Sequence, residues 1–498
     1  MSSLSGYDTE AVGFDSITSE KKAGTEISTQ TNDFKEYGVG CQTVTSKDVG
    51  CSAEPEDLNA EDDVLKEYPP PGLNAFLRKV VPSMMEQLDQ NEKDMPYNSS
   101  DSDEEEAVTA KILQEINVDG QGLGAGDHHS SILGVTWSST GNTLAISIGK
   151  KQHETWCEQQ GQIKVYTMKH FEGSKLTHAL DIMEKNCVTV VKYHPAVSAL
   201  LAYGTASGEV VLNNLVNMSL NSFNDRLSSP SGCHGSRRVS ALHWADASLA
   251  NTFLTMQING KGKRRGAADQ VLISSGCDGT INVWQVNANL KIFENVVCYT
   301  LNAGRKPAPD ITCFDFNRRY CLRRFDEKLP DDIFVVGCKS GQLYLCKIKG
   351  CGDGDVDPVH EELEGHGTCV LGIEFSCHKP VFVSMSMDSE LRVYSVNQPC
   401  PLKIFCLDVA ISCMALLGTS PCAVVGLTAD EKEALRVYNV FSGKQIMVDG
   451  FLGQAEVTCV AVSQSGCYRI VAGNMDNTLR VWEFPALRFK LSSEDYYF

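Results

Sequence analysis

The chain reads as all-β: a seven-bladed β-propeller behind a disordered, acidic N-terminal arm. Three observations predict this. One short β-rich string recurs seven times, further apolar runs precede its copies, and almost all the net charge sits in the first quarter of the 498 residues.

The string is clearest as MDNTLRVWEF, Met475–Phe484. Asp476 and Asn477 supply a turn. Leu479 and Val481 then alternate with Arg480 and Trp482, the period of two that marks a strand. MDSELRVYSV (Met387–Val396), CDGTINVWQV (Cys277–Val286) and KEALRVYNV (Lys432–Val440) repeat it, and GQIKVYTM (Gly161–Met168), GEVVLNNL (Gly208–Leu215) and GQLYLCKI (Gly341–Ile348) are weaker copies. Taking the aromatic position as the mark, the copies fall at Tyr166, Asn213, Trp284, Cys346, Tyr394, Tyr438 and Trp482, with gaps of 47, 71, 62, 48, 44 and 44 residues. Such a period fits the WD repeat, one four-stranded blade in about 40–45 residues. The two long gaps are then blades with loop insertions.

Each mark has the partners a blade needs. VTCVAVSQSG (Val457–Gly466) and YRIVAGNM (Tyr468–Met475) precede Trp482. VSALHWAD (Val239–Asp246) and VLISSGCD (Val271–Asp278) precede Trp284, and VLGIEFSC (Val370–Cys377) and VFVSMSMD (Val381–Asp388) precede Tyr394. One small sheet cannot bury both its faces, whereas radial stacking can. Residues 131–498 are therefore expected to form one seven-bladed WD-repeat propeller. Its closing strand comes either from before Ile132 or from ALRFKL, Ala486–Leu491.

Residues 1–130 hold 27 acidic and 9 basic side chains, a net charge of −18 out of −19 for the whole chain. That segment is poor in large apolar residues and is expected to be disordered in isolation. Its acidity argues against nucleic-acid binding. No run of eighteen apolar residues suggests a membrane span, and the N-terminus lacks a basic region followed by an apolar core. The 20 cysteines include no CxxC pair, and Cys313, Cys346, Cys413 and Cys459 fall within expected strands. They read as reduced core side chains rather than disulfides or zinc ligands. GxSxG, HExxH and the kinase motifs are absent, and no histidine has a partner at metal or catalytic spacing. No catalytic residue, metal or cofactor is expected.

Within the arm, residues 26–55 carry three related segments: EISTQTND (Glu26–Asp33), GVGCQTVT (Gly38–Thr45) and DVGCSAEP (Asp48–Pro55). Thr29, Gln30 and Thr31 align with Cys41, Gln42 and Thr43, and with Cys51, Ser52 and Ala53. Small and β-branched residues around a glutamine suit an extended strand that adds to another protein's sheet edge. Tandem copies allow multivalent binding. Residues 72–90 follow, GLNAFLRKVVPSMMEQLDQ. Leu73, Phe76, Leu77, Val80, Val81, Met84 and Leu88 recur at helical steps on one side, which predicts an amphipathic helix for a partner's groove, with a kink or break at Pro82. Glu105–Ile116 gives a second, shorter helical pattern through Val108, Ile112 and Ile116. SSDSDEEE (Ser99–Glu106) reads as a solvated spacer.

Two insertions stand out in the propeller. Ser248–Asp269 carries Lys261, Lys263, Arg264 and Arg265 and reads as a basic surface loop; it has no GxxxxGK[ST] form. Arg318–Asp332 mixes both signs. His366 in EGHGT stands where a WD repeat places its Gly-His histidine, a structural hydrogen-bonding residue.

The tandem arm segments resemble the TQT motif recognised by the dimeric eight-kilodalton dynein light chain. STQT (Ser28–Thr31) and GCQT (Gly40–Thr43) match it; GCSA departs at Ser52. The order of arm, helix and propeller resembles the dynein intermediate chain family, and most closely the branch serving cytoplasmic dynein 2, the retrograde motor of intraflagellar transport. LNAFLRKV (Leu73–Val80), VTWSSTGNTLA (Val135–Ala145), YHPAVSALLAYGTASGEV (Tyr193–Val210) and ITCFDF (Ile311–Phe316) carry the likeness with the TQT segments. The likeness covers most of the chain from Glu26 onward; Pro82 and the long basic loop depart from the family pattern. The resemblance implies a non-catalytic motor subunit of cytoplasm, cytoskeleton and cilium, at axoneme and basal body. Its propeller would hold the dynein 2 heavy chain. Its arm would join a second dynein 2 intermediate chain through shared eight-kilodalton dimers, and its helix would meet a roadblock-type light chain. A general WD-repeat adaptor (a ligase substrate receptor or a nuclear assembly factor) and an axonemal outer-arm intermediate chain are the alternatives.

Overall fold

The structure is a computed structural model. It describes residues 76–81, 108–118, 130–151, 157, 160–169, 175–216, 226–246, 249–250, 253, 269–287, 290–301, 308–317, 333–348, 356–376, 380–418, 420–428, 432–453, 455–463 and 468–484. Among these, no helix is long and apolar enough to cross a membrane.

Seven four-stranded antiparallel sheets follow one another along the chain, the expected seven-bladed propeller. The seven marks all fall on third strands, from Gly161–Lys169 in the first blade to Thr478–Phe484 in the seventh. All seven mark residues are buried. The first strands are Ser131–Trp137, Val188–Tyr193, Val239–Trp244, Ile311–Phe316, Val370–Phe375, Ile411–Leu416 and Val457–Val462. Each touches the first strands of both neighbouring blades, so these seven strands form a closed inner ring.

Every first strand bulges at the same place against its second strand. The extra residues are Leu133, Thr189, Ser240, Thr312, Leu371, Ser412 and Thr458. A bulge frees one residue from the ladder and re-aims its side chain. Four of these hydroxyls donate to the next blade's backbone: Thr189 to Val239 O at 2.6 Å, Thr312 to Val370 O at 2.7 Å, Ser412 to Val457 O and Thr458 to Ile132 O. The other three junctions are held near the far end of the first strand. Thr136 Oγ1 accepts from Tyr193 N at 3.1 Å, Glu374 Oε2 accepts from Leu416 N at 2.9 Å, and His243 Nδ1 meets Asp315 Oδ1 at 3.2 Å. Side-chain bonds thus cross all seven junctions.

Two corrections concern the closing blade. Glu105–Ile116 does not present a helix: Val108–Thr109 and Lys111–Asn117 are strands. Lys111–Asn117 pairs antiparallel with Thr478–Phe484 and completes the seventh sheet, so the closing strand comes from before Ile132. The expected spacing spans two strands, and the second bulges between Ile112 and Gln114. Val108, Ile112 and Ile116 do not share one face: Val108 packs against one core cluster, Ile116 against another, and Ile112 is exposed. The compact unit accordingly begins at Glu104, ahead of the boundary expected between 130 and 131.

Candidate partner-binding surfaces

Strand direction gives the ring two faces. The upper face carries the blade-to-blade connections and the turns between second and third strands; the lower face carries the other turns. The residue two before each mark sits on the third strand and often ties the blade to nearby loops. Lys164 Nζ donates to Val118 O at 3.0 Å, Asn282 Nδ2 to Cys233 O at 2.8 Å, and Arg392 Nη1 to Gly365 O at 2.6 Å. At the same position Arg436 pairs with Glu433, and Arg480 with Glu115 of the closing strand, each at 2.9 Å.

In the third blade a polar relay runs inward from the upper face. His234 Nε2 and Ser274 Oγ lie 2.8 Å apart, and Trp284 Nε1 donates to Ser274 Oγ at 2.8 Å. On the other ring nitrogen, His234 Nδ1 meets Thr280 Oγ1 at 2.9 Å. The fifth blade repeats it: His366 Nε2 meets Ser384 Oγ at 2.7 Å, and Tyr394, at the tryptophan position, donates to Glu364 O. Burial, with the Arg392 charge adding to it, lowers the His366 imidazole to about 4, so it is neutral at pH 7. His366 thus has the structural role expected of it.

His366, Asp388 and Glu390 are the grouping among the described residues whose donor atoms lie close enough to hold a metal ion. They fit one poorly. The Arg392 guanidinium pairs with Glu390 at 2.8 Å and supplies a fixed positive charge there. Of the imidazole nitrogens, Nε2 is also committed to Ser384.

Exposed large apolar side chains are unevenly spread. Met387 and Met475 stand at turns of the upper face, 68% and 47% exposed. Leu402, Ile404, Met447, Leu452 and Ile112 line the outer strands of the fifth, sixth and seventh blades. An upper-face cleft of about 750 Å³ between the third and fourth blades has walls of both signs, with Arg237, Asp278, Asp310 and Lys339. The two long insertions fall in the sequence between the first and second strands of the third and fourth blades. Lys261–Arg265 and Arg318–Asp332 lie outside the described residues.

The arm joins the ring at the sixth and seventh blades. Val108–Thr109 pairs in parallel with Val448–Asp449, and Ala110 N donates to Asp449 O at 2.7 Å. Gly450 permits this: its φ is +101°, and a Cβ there would stand 2.2 Å from Ala110 O. Gln114 ties the closing strand to the first blade, accepting from Leu176 N at 2.8 Å and donating to Leu176 O at 3.1 Å. None of these joining residues was singled out by the sequence for this role. The double duty of Gln114, one side chain acting like a peptide group, leaves no pattern in a single chain.

The strand-addition residues Thr29, Gln30, Thr31, Cys41, Gln42, Thr43, Cys51, Ser52 and Ala53 lie outside the described residues. So do Leu73, Met84 and Leu88 of the expected helix, and Pro82. Residues 76–81 are helical, with Phe76, Leu77 and Val81 exposed and Val80 half-buried.

Fold and relays together define a WD-repeat β-propeller, and the WD domain, G-beta repeat family matches residues 444–483. That match starts at the outer strand of the sixth blade and ends on the third strand of the seventh, so the sequence repeat straddles two blades. Among particular proteins, the chain is similar to human cytoplasmic dynein 2 intermediate chain 2, 19% identical over 84% of this chain and 76% of that protein. The mouse protein of the same name is 19% identical over 95% of this chain and 88% of its own length. The resemblance to dynein intermediate chains therefore extends over most of the chain.

Proposed function

We propose that this chain is a non-catalytic intermediate chain of the cytoplasmic dynein 2 motor. In this reading the propeller holds the heavy-chain tail, and Thr29–Thr31 and Cys41–Thr43 recruit eight-kilodalton light-chain dimers, with Cys51–Ala53 as a third, divergent segment. Those dimers join the arm to a second intermediate chain, and the helix around Phe76, Leu77, Val80 and Val81 meets a roadblock-type light chain. The complex would serve retrograde intraflagellar transport and cilium assembly.

One observation carries the reading: tandem TQT-like segments, an amphipathic stretch and a WD propeller stand in this order in a chain that matches dynein 2 intermediate chains nearly end to end. Weak strands in tandem on two arms form a zipper, since each bound dimer raises the effective concentration for the next. The test is affinity purification of the full chain, with the co-purifying heavy chain identified by mass spectrometry. Changing Gln30 and Gln42 together to Ala should remove the light-chain dimer and leave the heavy chain bound. Recovery of no dynein heavy chain would overturn the reading.

A further inference from the structure

An exposed sheet edge is a template for pairing with another chain, and folded proteins blunt it with charge, with shortness or with a covering strand. Among the described residues, six of the seven outer edges are blunted in one of these ways. The outer strand of the second blade is three residues, Arg226–Ser228, and that of the sixth is two, Gln445–Ile446. The sixth runs on into Val448–Asp449, which Val108–Thr109 covers. Exposed charges mark the others: Lys175 on the first, Glu294 on the third, Glu361 and Glu362 on the fourth, Lys111 and Glu115 on the seventh. The fifth, Lys403–Cys406, has none of these guards. Its one charge is turned away, since Lys403 Nζ donates to Phe441 O at 2.5 Å on the sixth blade. Asp408, past the strand's end, pairs with Arg436 at 3.2 Å. Ile404 is 45% exposed, and Cys406 beside it on the same face is exposed too.

The register says which peptide groups this edge offers. Leu407 N donates to Ser389 O at 2.9 Å, and Phe405 stands opposite Leu391. Hydrogen-bonded pairs alternate along an antiparallel ladder. Phe405 therefore turns its N–H and C=O inward, while Ile404 and Cys406 turn theirs outward, beyond the last strand of the sheet. We propose that two copies of this chain pair edge to edge here, antiparallel, about a twofold axis through Phe405. Ile404 of each copy then stands opposite Cys406 of the other. These two pairs exchange four main-chain hydrogen bonds, and their side chains form one apolar row on one face. A twofold contact must be self-complementary, and this edge meets that condition. Its outward donors and acceptors match their own copies, and no like charges meet, because Lys403 faces the sixth blade. Residues 131–498 carry a net charge of −1, so repulsion between the rings is small.

The test is sedimentation velocity on the purified full-length chain, reduced and without light chains, so its outcome is separate from the dynein reading. Two strands of this length bury much less than a standard interface, so the dimer is weak and should appear between about 1 and 100 µM. Ile404→Lys places a charge on the edge and should weaken association by about ten-fold or more, with the thermal melt unchanged at this exposed position. Met475→Lys, on the upper face, should associate as the wild type does. Ile404→Cys sets a thiol opposite Cys406 of the second copy, with Cα atoms about 5.5 Å apart, within disulfide range. Mild oxidation should then join the introduced thiol to Cys406 between copies, read by peptide mapping. A wild-type chain still monomeric at about 100 µM would overturn the proposal. So would association that survives Ile404→Lys, or cross-links that run through Cys400 instead.

Discussion

Thr458→Val tests how the ring is held shut. The C-terminal strands of the seventh blade meet the chain's earlier half without a covalent link, through the ladder to Lys111–Asn117 and through contacts with the first blade. Thr458 Oγ1 lies within reach of Ile132 O across that boundary and of Gly473 O in its own blade. Valine keeps the shape and removes the donor. The lost hydrogen bond costs about 1 kcal/mol, and a buried carbonyl left without its donor brings the total to about 1–3 kcal/mol. If the boundary opens locally, opening becomes more frequent by roughly 5- to 150-fold for that loss. Hydrogen–deuterium exchange should show this in Val457–Val462 and Thr478–Phe484, with the fourth blade unchanged. Thr312→Val removes the equivalent donor where the chain already joins two blades. It should cost similar global stability without that local signature. Unaltered exchange at the closing strands in Thr458→Val, or equal acceleration in all blades, would refute the reasoning.

Three further outcomes are expected. His366 is lowered to about 4 when folded against an unfolded value of 6.5, so the unfolded chain binds the extra proton and stability falls as pH drops through that window. Between pH 7 and 5 the loss is about 2 kcal/mol by urea titration, and His366→Gln should remove that part of the slope. Gly450→Val should cost at least about 1–3 kcal/mol by thermal melting, because φ of +101° and the approach of Ala110 O both exclude a side chain; a melt like the wild type would place Ala110 elsewhere. Removing residues 1–103 should leave the cooperative melt of the ring intact, whereas removing 1–118 should lower or abolish it; equal melts would remove Lys111–Asn117 from the seventh sheet.

The third strands were legible because turn, alternation and aromatic mark recur at near-constant spacing, and even Asn213 and Cys346 kept register without an aromatic ring. His366 was legible through its Gly-His setting. The closing strand was not, because Val108, Ile112 and Ile116 fall at helical spacing by sequence although they belong to two strands, the second of them bulged. Nor were the junction bonds. Thr189, Thr312, Ser412 and Thr458 look like ordinary strand residues until the bulge turns them to the next blade. Leu133 and Leu371 hold the same place without a hydroxyl, and their blades use Thr136 and Glu374 for the next junction instead. A function shared between alternative positions leaves no single-position pattern to read.

The way the arm enters the ring bears on the tether role proposed for it. Load on the arm would arrive first at Val108, where the chain pairs with the sixth blade, then at the ladder to the seventh, then through Gln114 at the first. Three blades therefore share it before any single turn is strained. Lys164 adds a fourth tie, since its buried ammonium holds Val118 O where the closing strand ends. A loop joined at one point would concentrate the same load on a few backbone bonds, each worth only about 1 kcal/mol net. Building the tether's last residues into the sheet order makes the ring and its attachment one cooperative unit. Under the proposed function, that arrangement would keep partners on the arm connected to a partner on the propeller.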